Sequence, residues 1–112
     1  MTDPRLESLA HERCVACEGG VPPLGEADLQ EGLACLPGWS LVGGALEKTF
    51  TFEDYHHTMA FVNAVAWVAH RENHHPSLEV SYRRCRVRWI THAVGAVTRN
   101  DLVAAARVEA LS

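Results

Sequence analysis

The chain of 112 residues is predicted to form one α+β domain with two layers, a four-stranded antiparallel sheet covered on one face by helices. Three observations predict this class. The length suits a single compact domain. Hydrophobic residues make up 47% of the chain and charged residues 21%, which is typical of globular proteins and not of disordered ones. The spacing of apolar residues changes between helical and strand periods in the order helix-β-β-helix-β-β-helix.

Residues 1–23 are interpreted as a loosely held N-terminal arm. They contain Gly19-Gly20 and Pro22-Pro23 but no apolar period, and they carry a Cys-x-x-Cys motif at Cys14 and Cys17. The folded domain is therefore expected to span residues 24–112.

A short helix is predicted first, over residues 26–36. Leu29, Leu33 and Leu36 recur at helical spacing, and Pro37-Gly38 ends the pattern.

A first hairpin is predicted to follow, with strands at residues 39–42 and 46–52. Gly43-Gly44 between them tolerates the positive φ angles of a tight turn.

A long helix is then expected to run to about Arg71, with Thr51 and Asp54 as its capping box. Its inward stripe consists of Ala60, Phe61, Ala64, Val65 and Val68. Pro76 disfavours helical geometry at His75, so the chain becomes extended there.

A second hairpin is indicated by alternation in two runs, Leu78, Val80 and Tyr82, then Cys85, Val87 and Trp89. Thr98 and Asp101 form another capping-box pattern before a helix over residues 102–111.

Charge and hydropathy exclude several classes of function. The formal charge of −4 argues against a direct grip on nucleic acid, which needs a basic face. The most apolar stretch, residues 64–69, is far shorter than the roughly 20 residues that span a membrane. The N-terminus shows no export signal, so we expect a cytoplasmic protein with reduced thiols.

The second hairpin is expected to bring histidines together. If pairing is symmetric about a centre between Arg83 and Arg84, His75 lies directly opposite His92, with His74 beside them. Two arginines suit a two-residue turn poorly, so a longer loop or a bulge that shifts the register stays an alternative.

Converging imidazoles suit acid and base catalysis near neutral pH, such as a dehydration. In the alternative interpretation His74 and His75 only end a helix and His92 only ends a strand. Asp101 is predicted to cap the last helix and to orient a nearby imidazole at the same time.

A zinc site would need Cys14, Cys17, Cys35 and one histidine, but the paired ligand spacing of a zinc finger is missing. A thioredoxin-like role is disfavoured because the motif does not open a helix after a strand.

The arrangement of His70, His74-His75-Pro76, Tyr82, His92 and Asp101 resembles the signature of the pterin-4a-carbinolamine dehydratases. The likeness extends to Pro37-Gly38-Trp39 and covers roughly residues 24–112. It implies dehydration of 4a-hydroxytetrahydropterin to quinonoid dihydropterin in the recycling of a tetrahydrobiopterin-type cofactor, with no metal or organic cofactor required.

The resemblance also implies roles for individual residues. His74 and His92 match the acid/base pair, His75 matches a histidine that binds the pterin, and Asp101 matches the supporting carboxylate. Further substrate-binding positions are His70, Asn73, Pro76, Leu78 and Thr91.

Relatives of this kind form dimers or tetramers, so we expect a homodimer, with a tetramer as the alternative. A second hypothesis is a non-catalytic interaction protein on the same scaffold, of the dimerisation-cofactor type. Members that lose activity tend to lose the histidines, so the three histidines with Asp101 favour catalysis here.

Overall fold

The structure, a computed structural model, describes residues 3–15 and 21–111. The elements in chain order are α1 (Pro4–Ala10), α2 (Glu26–Cys35), β1 (Ser40–Val42), β2 (Ala45–Thr51), α3 (Tyr55–Glu72), β3 (Ser77–Val80), β4 (Arg84–Trp89) and α4 (Arg99–Glu109). The predicted α+β class and the predicted order of helices and strands are confirmed, with α1 as an additional helix.

Helix α1 lies where the sequence predicted a loosely held arm, and for residues 4–10 that prediction is wrong. Asp3 caps the helix by accepting a hydrogen bond from the Arg5 N–H at 2.8 Å. Leu6 and Leu9 are buried, and the helix packs against α4. Seven residues with two inward leucines are too few to show a helical period in the sequence.

The sheet has the strand order β1-β2-β4-β3, and every neighbouring pair is antiparallel. The tight turn between β1 and β2 uses Gly43 and Gly44 at φ angles of 55° and 81°, as predicted. In the central strand β4, Cys85, Val87 and Trp89 face the helices and are fully buried. The arginines between them lie on the opposite face, so the alternation predicted from the sequence is the one observed.

The register of the second hairpin differs from the prediction. Val80 pairs with Cys85 and Ser77 pairs with Arg88, so the centre lies between Tyr82 and Arg83, one residue earlier than predicted. The chain turns through residues 81–83, and Ser81 N–H donates to the Arg84 carbonyl at 2.9 Å. His75 and His92 are therefore not directly opposed.

Helices α3 and α4 are placed by their caps. Asp54, not Thr51, is the N-cap of α3, because its carboxylate accepts from the His57 N–H at 2.8 Å. Asn73 ends α3 in the left-handed conformation at φ 50°, which turns the chain towards His74. The capping box of Thr98 and Asp101 is present at the start of α4, as predicted.

No helix in the described part of the chain combines the length and the apolar character needed to cross a membrane.

Candidate active site

Four element ends meet at one edge of the sheet. Because β3 and β4 are antiparallel, the start of β3 and the end of β4 lie at the same edge. The segment from α3 to β3 carries His74 and His75, and the segment from β4 to α4 carries His92. The predicted histidines therefore share an edge of the fold, although the register differs from the predicted one.

His74 and Asp101 form a buried pair. The Nε2 atom of His74 lies 2.6 Å from Oδ1 of Asp101, and the two side chains are 7% and 0% exposed. Spacing alone predicted Asp101 as a helix cap, with the orientation of an imidazole as a compatible second role, and both contacts are present in the structure. His74 is buried because Asp101 of α4 and Trp89 of β4 cover it.

The Asp101 carboxylate is held by two further donors. Its Oδ2 atom accepts from the Thr91 hydroxyl and from the Thr98 N–H, each at 2.8 Å. Since the Thr91 proton points to Asp101, the Thr98 hydroxyl donates to Thr91 at 2.8 Å. The three hydrogen bonds from His74, Thr91 and Thr98 hold this buried carboxylate in one orientation.

This network decides which nitrogen of His74 is available. A carboxylate that accepts all its hydrogen bonds requires the proton of His74 to sit on Nε2. The other ring nitrogen, Nδ1, is then the one that can exchange a proton with a bound molecule. The pair thus presents one imidazole nitrogen in a defined tautomer.

Trp89 packs against the face of His74, and the sequence analysis did not identify this contact. The ring centroids are 5.3 Å apart and the planes differ by 22°. Trp89 is fully buried at the end of β4, so the indole fixes the plane of the imidazole. The alternation of β4 indicated only that Trp89 points towards the helices. It does not indicate which side chain the indole contacts.

His75 and His92 are exposed at this edge. His92 follows Thr91 directly, so its backbone is tied to the Asp101 network. His92 begins a turn between Thr91 and Ala96, in which the Thr91 N–H donates to the Ala96 carbonyl at 3.1 Å. Within this turn Gly95 has φ 65°. Glycine tolerates this positive φ angle, which lets the chain turn sharply before α4.

The other predicted binding residues differ in exposure. His70 is exposed on the outer side of α3, with its ring centroid 5.9 Å from that of Trp67. Asn73 is exposed, while Pro76 and Leu78 are half-buried. Thr91 is only 1% exposed and its hydroxyl is engaged by Asp101, so it contributes support to the carboxylate.

The cysteines have separate surroundings. Cys35 donates to the Gly32 carbonyl at 3.2 Å, and Cys14 donates to the Asn100 carbonyl at 3.5 Å. Burial raises the pKa of the Cys35 and Cys85 thiols, which disfavours their reactive thiolate forms. Cys17 lies outside the described residues, and within residues 3–15 and 21–111 no group of three potential ligands could hold a metal ion.

Fold and site together define a class: a small α+β protein in which a buried histidine–carboxylate pair adjoins exposed histidines, an arrangement suited to proton transfer.

Comparisons with known proteins agree with this class. The family model for pterin 4 alpha carbinolamine dehydratase matches residues 22–111. A Stenotrophomonas maltophilia protein named for that dehydratase is 54% identical over 109 residues, covering 96% of this chain and 94% of its own. A similarly named protein of Nitrosospira multiformis is 43% identical over 109 residues, covering 97% of this chain and 96% of its own.

A solved structure shows the same fold. The transcriptional coactivator/pterin dehydratase of Brucella melitensis is 30% identical and superposes with a TM-score of 0.77, covering 80% of this chain and 98% of that one. The chain belongs to the pterin 4 alpha carbinolamine dehydratase family, a family of hydro-lyases.

Proposed function

We propose that this protein dehydrates a 4a-hydroxytetrahydropterin to the quinonoid dihydropterin by histidine acid-base catalysis. In this reaction the bond between C4a and the hydroxyl oxygen breaks, the neighbouring ring nitrogen N5 loses its proton, and a C4a–N5 double bond forms. One water molecule leaves. A base at N5 and an acid at the hydroxyl are the two groups that the chemistry requires.

The observation that carries the proposal is the 2.6 Å contact between His74 and Asp101. A carboxylate on one side of an imidazole stabilises the imidazolium that forms when the other nitrogen takes a proton. We therefore assign His74 Nδ1 as the base that removes the N5 proton. The exposed His92 is the acid, because it can take up protons from solvent and deliver them to the departing hydroxyl.

Substrate binding is assigned to the exposed and half-buried positions of the same edge. We assign His75 to the orientation of the pterin because it is exposed, with Asn73, Pro76 and Leu78 as further proposed contacts and His70 at the rim. Thr91 acts through Asp101 in this scheme, since its hydroxyl is bonded to the carboxylate. No metal and no organic cofactor takes part.

Single substitutions test the assignment. His74→Ala and His92→Ala should each lower kcat by about 10²–10⁴-fold, the contribution typical of a positioned acid or base. His56→Ala, which removes an exposed histidine of α3, is the matched control and should leave kcat unchanged. Turnover of a 4a-carbinolamine is followed by absorbance, and circular dichroism checks that each variant is folded. A wild-type rate in either test variant contradicts the assignment.

An interaction role is the second candidate function, because the Brucella melitensis protein is described as a coactivator as well as a dehydratase. Its support in this chain is the exposure of Leu41 and Val42 on the edge strand β1. Wild-type protein that is folded but fails to accelerate dehydration favours this role over catalysis.

We also propose that the protein is a homodimer, in which an edge strand of the sheet pairs with a second copy of the chain. We further propose that it is located in the cytoplasm and acts in the recycling of a tetrahydrobiopterin-type cofactor.

A further inference from the structure

The segment between α1 and the domain is bound to both helices that carry the histidine–carboxylate pair. We define the strap as Glu12, Arg13, Cys14 and Val15. It lies outside residues 22–111, which the family model matches. At its first residue, the Glu12 carbonyl accepts from Arg107 Nε of α4 at 2.9 Å, and the Glu12 carboxylate accepts from Arg99 Nε at 3.0 Å.

The strap reaches the end of α3 at Glu72. The Cys14 N–H donates to Glu72 Oε1 at 2.8 Å, and Arg13 Nε lies 3.0 Å from Oε2. The Glu72 side chain is only 1% exposed, and Arg107 Nε lies 3.8 Å from its Oε2 atom. A buried carboxylate in a helix end costs free energy unless donors and cations surround it, and the strap supplies part of that surrounding.

The strap reaches the start of α4 at Asn100. The Val15 N–H donates to Asn100 Oδ1 at 3.0 Å, and Asn100 Nδ2 donates to the Val15 carbonyl at 2.8 Å. Asn100 is 2% exposed. The side-chain amide of Asn100 thus bonds to both backbone polar groups of Val15, as a neighbouring strand would. The two hydrogen bonds fix the position of the strap against the start of α4.

Both anchors adjoin the pair that performs the proposed chemistry. Glu72 is followed by Asn73 and then His74, and Asn100 is followed directly by Asp101. The strap therefore joins the end of α3 to the start of α4 at the point where the 2.6 Å contact between His74 and Asp101 must be maintained. Displacements near 1 Å at a reacting group can cost about 10²-fold in rate.

We propose that the strap is a positioning element for the dehydration and that Glu72 and Asn100 are positioning residues for His74 and Asp101. This inference rests on the proposed function for its effect on rate. The effect on geometry is independent of that function, since it concerns the contact between His74 and Asp101 itself.

The test uses full-length variants that cut one anchor each. Asn100→Ala removes both bonds to Val15, and Glu72→Ala removes the acceptor of the Cys14 N–H. Each should lower kcat on the order of 10-fold or more with KM nearly unchanged. Glu72→Gln keeps an acceptor for Cys14 and should recover most of kcat. Arg13→Ala, which cuts a half-exposed ion pair and leaves the core intact, provides a variant that is expected to fold, with a smaller decrease in kcat.

Two controls separate positioning from general loss of stability. Arg86→Ala cuts an exposed ion pair with Glu79 on the sheet, away from the strap, and should leave kcat unchanged. Leu29→Ala opens the core in α2 and should lower the free energy of unfolding by about 2–5 kcal/mol with the rate of the folded protein unchanged. A decrease in kcat that follows stability alone, in the Leu29 variant as in the others, overturns the proposal.

A spectroscopic readout keeps this inference distinct from the proposed function. The proton on His74 Nε2 that is shared with Asp101 gives a low-field resonance in a protein labelled with ¹⁵N. We expect this resonance to move upfield in Asn100→Ala and Glu72→Ala but not in Arg86→Ala. An unmoved resonance in both anchor variants overturns the positioning role. A resonance that moves while kcat stays unchanged overturns the proposal that the strap affects the rate. A wild-type protein without turnover overturns the proposed function, but the resonance still tests whether the strap positions His74.

Discussion

Asp101 links the cap of a helix to a site for proton transfer. As the third residue of α4 it accepts the Thr98 N–H, which a capping box requires, and its other oxygen contacts His74. An acidic side chain in the first turn also lies at the positive end of the α4 dipole. One side chain thus stabilises the start of the helix and sets the tautomer of the imidazole.

Replacing the charge of Asp101 tests both contributions. Asp101→Asn keeps the volume of the side chain but replaces one acceptor oxygen by an NH₂ group. This NH₂ group would face one of the three groups that donate to Asp101, and that donor would lose its acceptor. We therefore expect a loss of about 1–3 kcal/mol in the free energy of unfolding. We also expect kcat to fall by about 10²-fold or more, because the imidazolium loses its counter-ion. Urea unfolding and steady-state kinetics measure the two effects.

Asp28→Asn is the matched control for this charge, since Asp28 is exposed on α2. It should change neither quantity. An Asp101→Asn protein with the kcat of the wild type would remove Asp101 from the proposed mechanism.

Single residues also mark the limit of sequence reasoning at the site. His74 and Asp101 were predicted to act together, because a histidine cluster and a capping carboxylate suggest a shared function. Trp89 was assigned only to the core, although it stacks on His74. Which ring a buried tryptophan meets depends on the packing of α4 and the α3–β3 segment over β4, and alternation within one strand carries no such information.

At the scale of elements, the turn of residues 92–95 directly follows Thr91, whose hydroxyl donates to Asp101. Gly95 has φ 65°, and a Cβ added there would meet no atom within 4 Å. The demand for glycine is therefore purely conformational, since an L-residue in the left-handed region costs about 1–2 kcal/mol.

Gly95→Ala should accordingly lower the free energy of unfolding by about 1–2 kcal/mol. Gly25→Ala provides a close comparison, because a Cβ at Gly25 also meets nothing within 4 Å while its φ is −70°. This control lies at the N-cap of α2, where alanine is a poorer cap than glycine, and should cost less than about 1 kcal/mol. Equal losses in the two variants, measured by urea unfolding, would show that the left-handed backbone is not what Gly95 provides.

The elements themselves were predicted well wherever a local signal exists. The glycine pair of the first hairpin, the inward residues of β4 and the capping box of α4 are all observed as predicted. The register of the second hairpin was predicted wrongly, because the turn of residues 81–83 contains no glycine that would specify the type of turn. A shift of the centre by one residue moved His75 out of direct opposition to His92.

At the scale of the whole molecule, Glu72 ties α3, α4 and the strap together. Its burial tends to raise the pKa of the carboxyl, but the Cys14 N–H and the charges of Arg107 and Arg13 outweigh burial and lower that pKa below its ordinary value of 4.5. As pH falls, Glu72 therefore takes up its proton at a higher pH in the unfolded chain than in the folded chain.

Glu72 should thus stabilise the fold above about pH 4.5, and this contribution should be lost as pH falls through the lower, folded pKa. In Glu72→Gln the dependence of the free energy of unfolding on pH should become flatter in this acid range. Glu31→Gln, at an exposed carboxylate of α2, is the control and should keep the slope of the wild type. Urea unfolding between pH 3 and pH 6 measures both, and parallel slopes for all three proteins would contradict the role of Glu72.

The Cys-x-x-Cys motif gives a further expectation for the whole chain. Cys14 contributes its backbone N–H to Glu72, which serine retains, and a serine hydroxyl can also donate to the Asn100 carbonyl. The double variant Cys14→Ser with Cys17→Ser should therefore keep the activity of the wild type, and the purified wild-type protein should contain zinc well below one equivalent. Stoichiometric zinc by metal analysis would support the zinc module that the sequence left open. A large loss of activity in the double variant would contradict the expectation that the two thiols are dispensable.

Local patterns in the sequence determined the α+β class, the order of the predicted elements and the capping box of α4, because helix period, strand alternation and turn residues act over a few positions. The tertiary structure alone decided that residues 4–10 form a packed helix, that the second hairpin is centred at residues 82 and 83, and that a strap joins Glu72 to Asn100. These features depend on contacts between residues that are distant in the chain, and such contacts are set by how the layers pack rather than by the composition of any one segment.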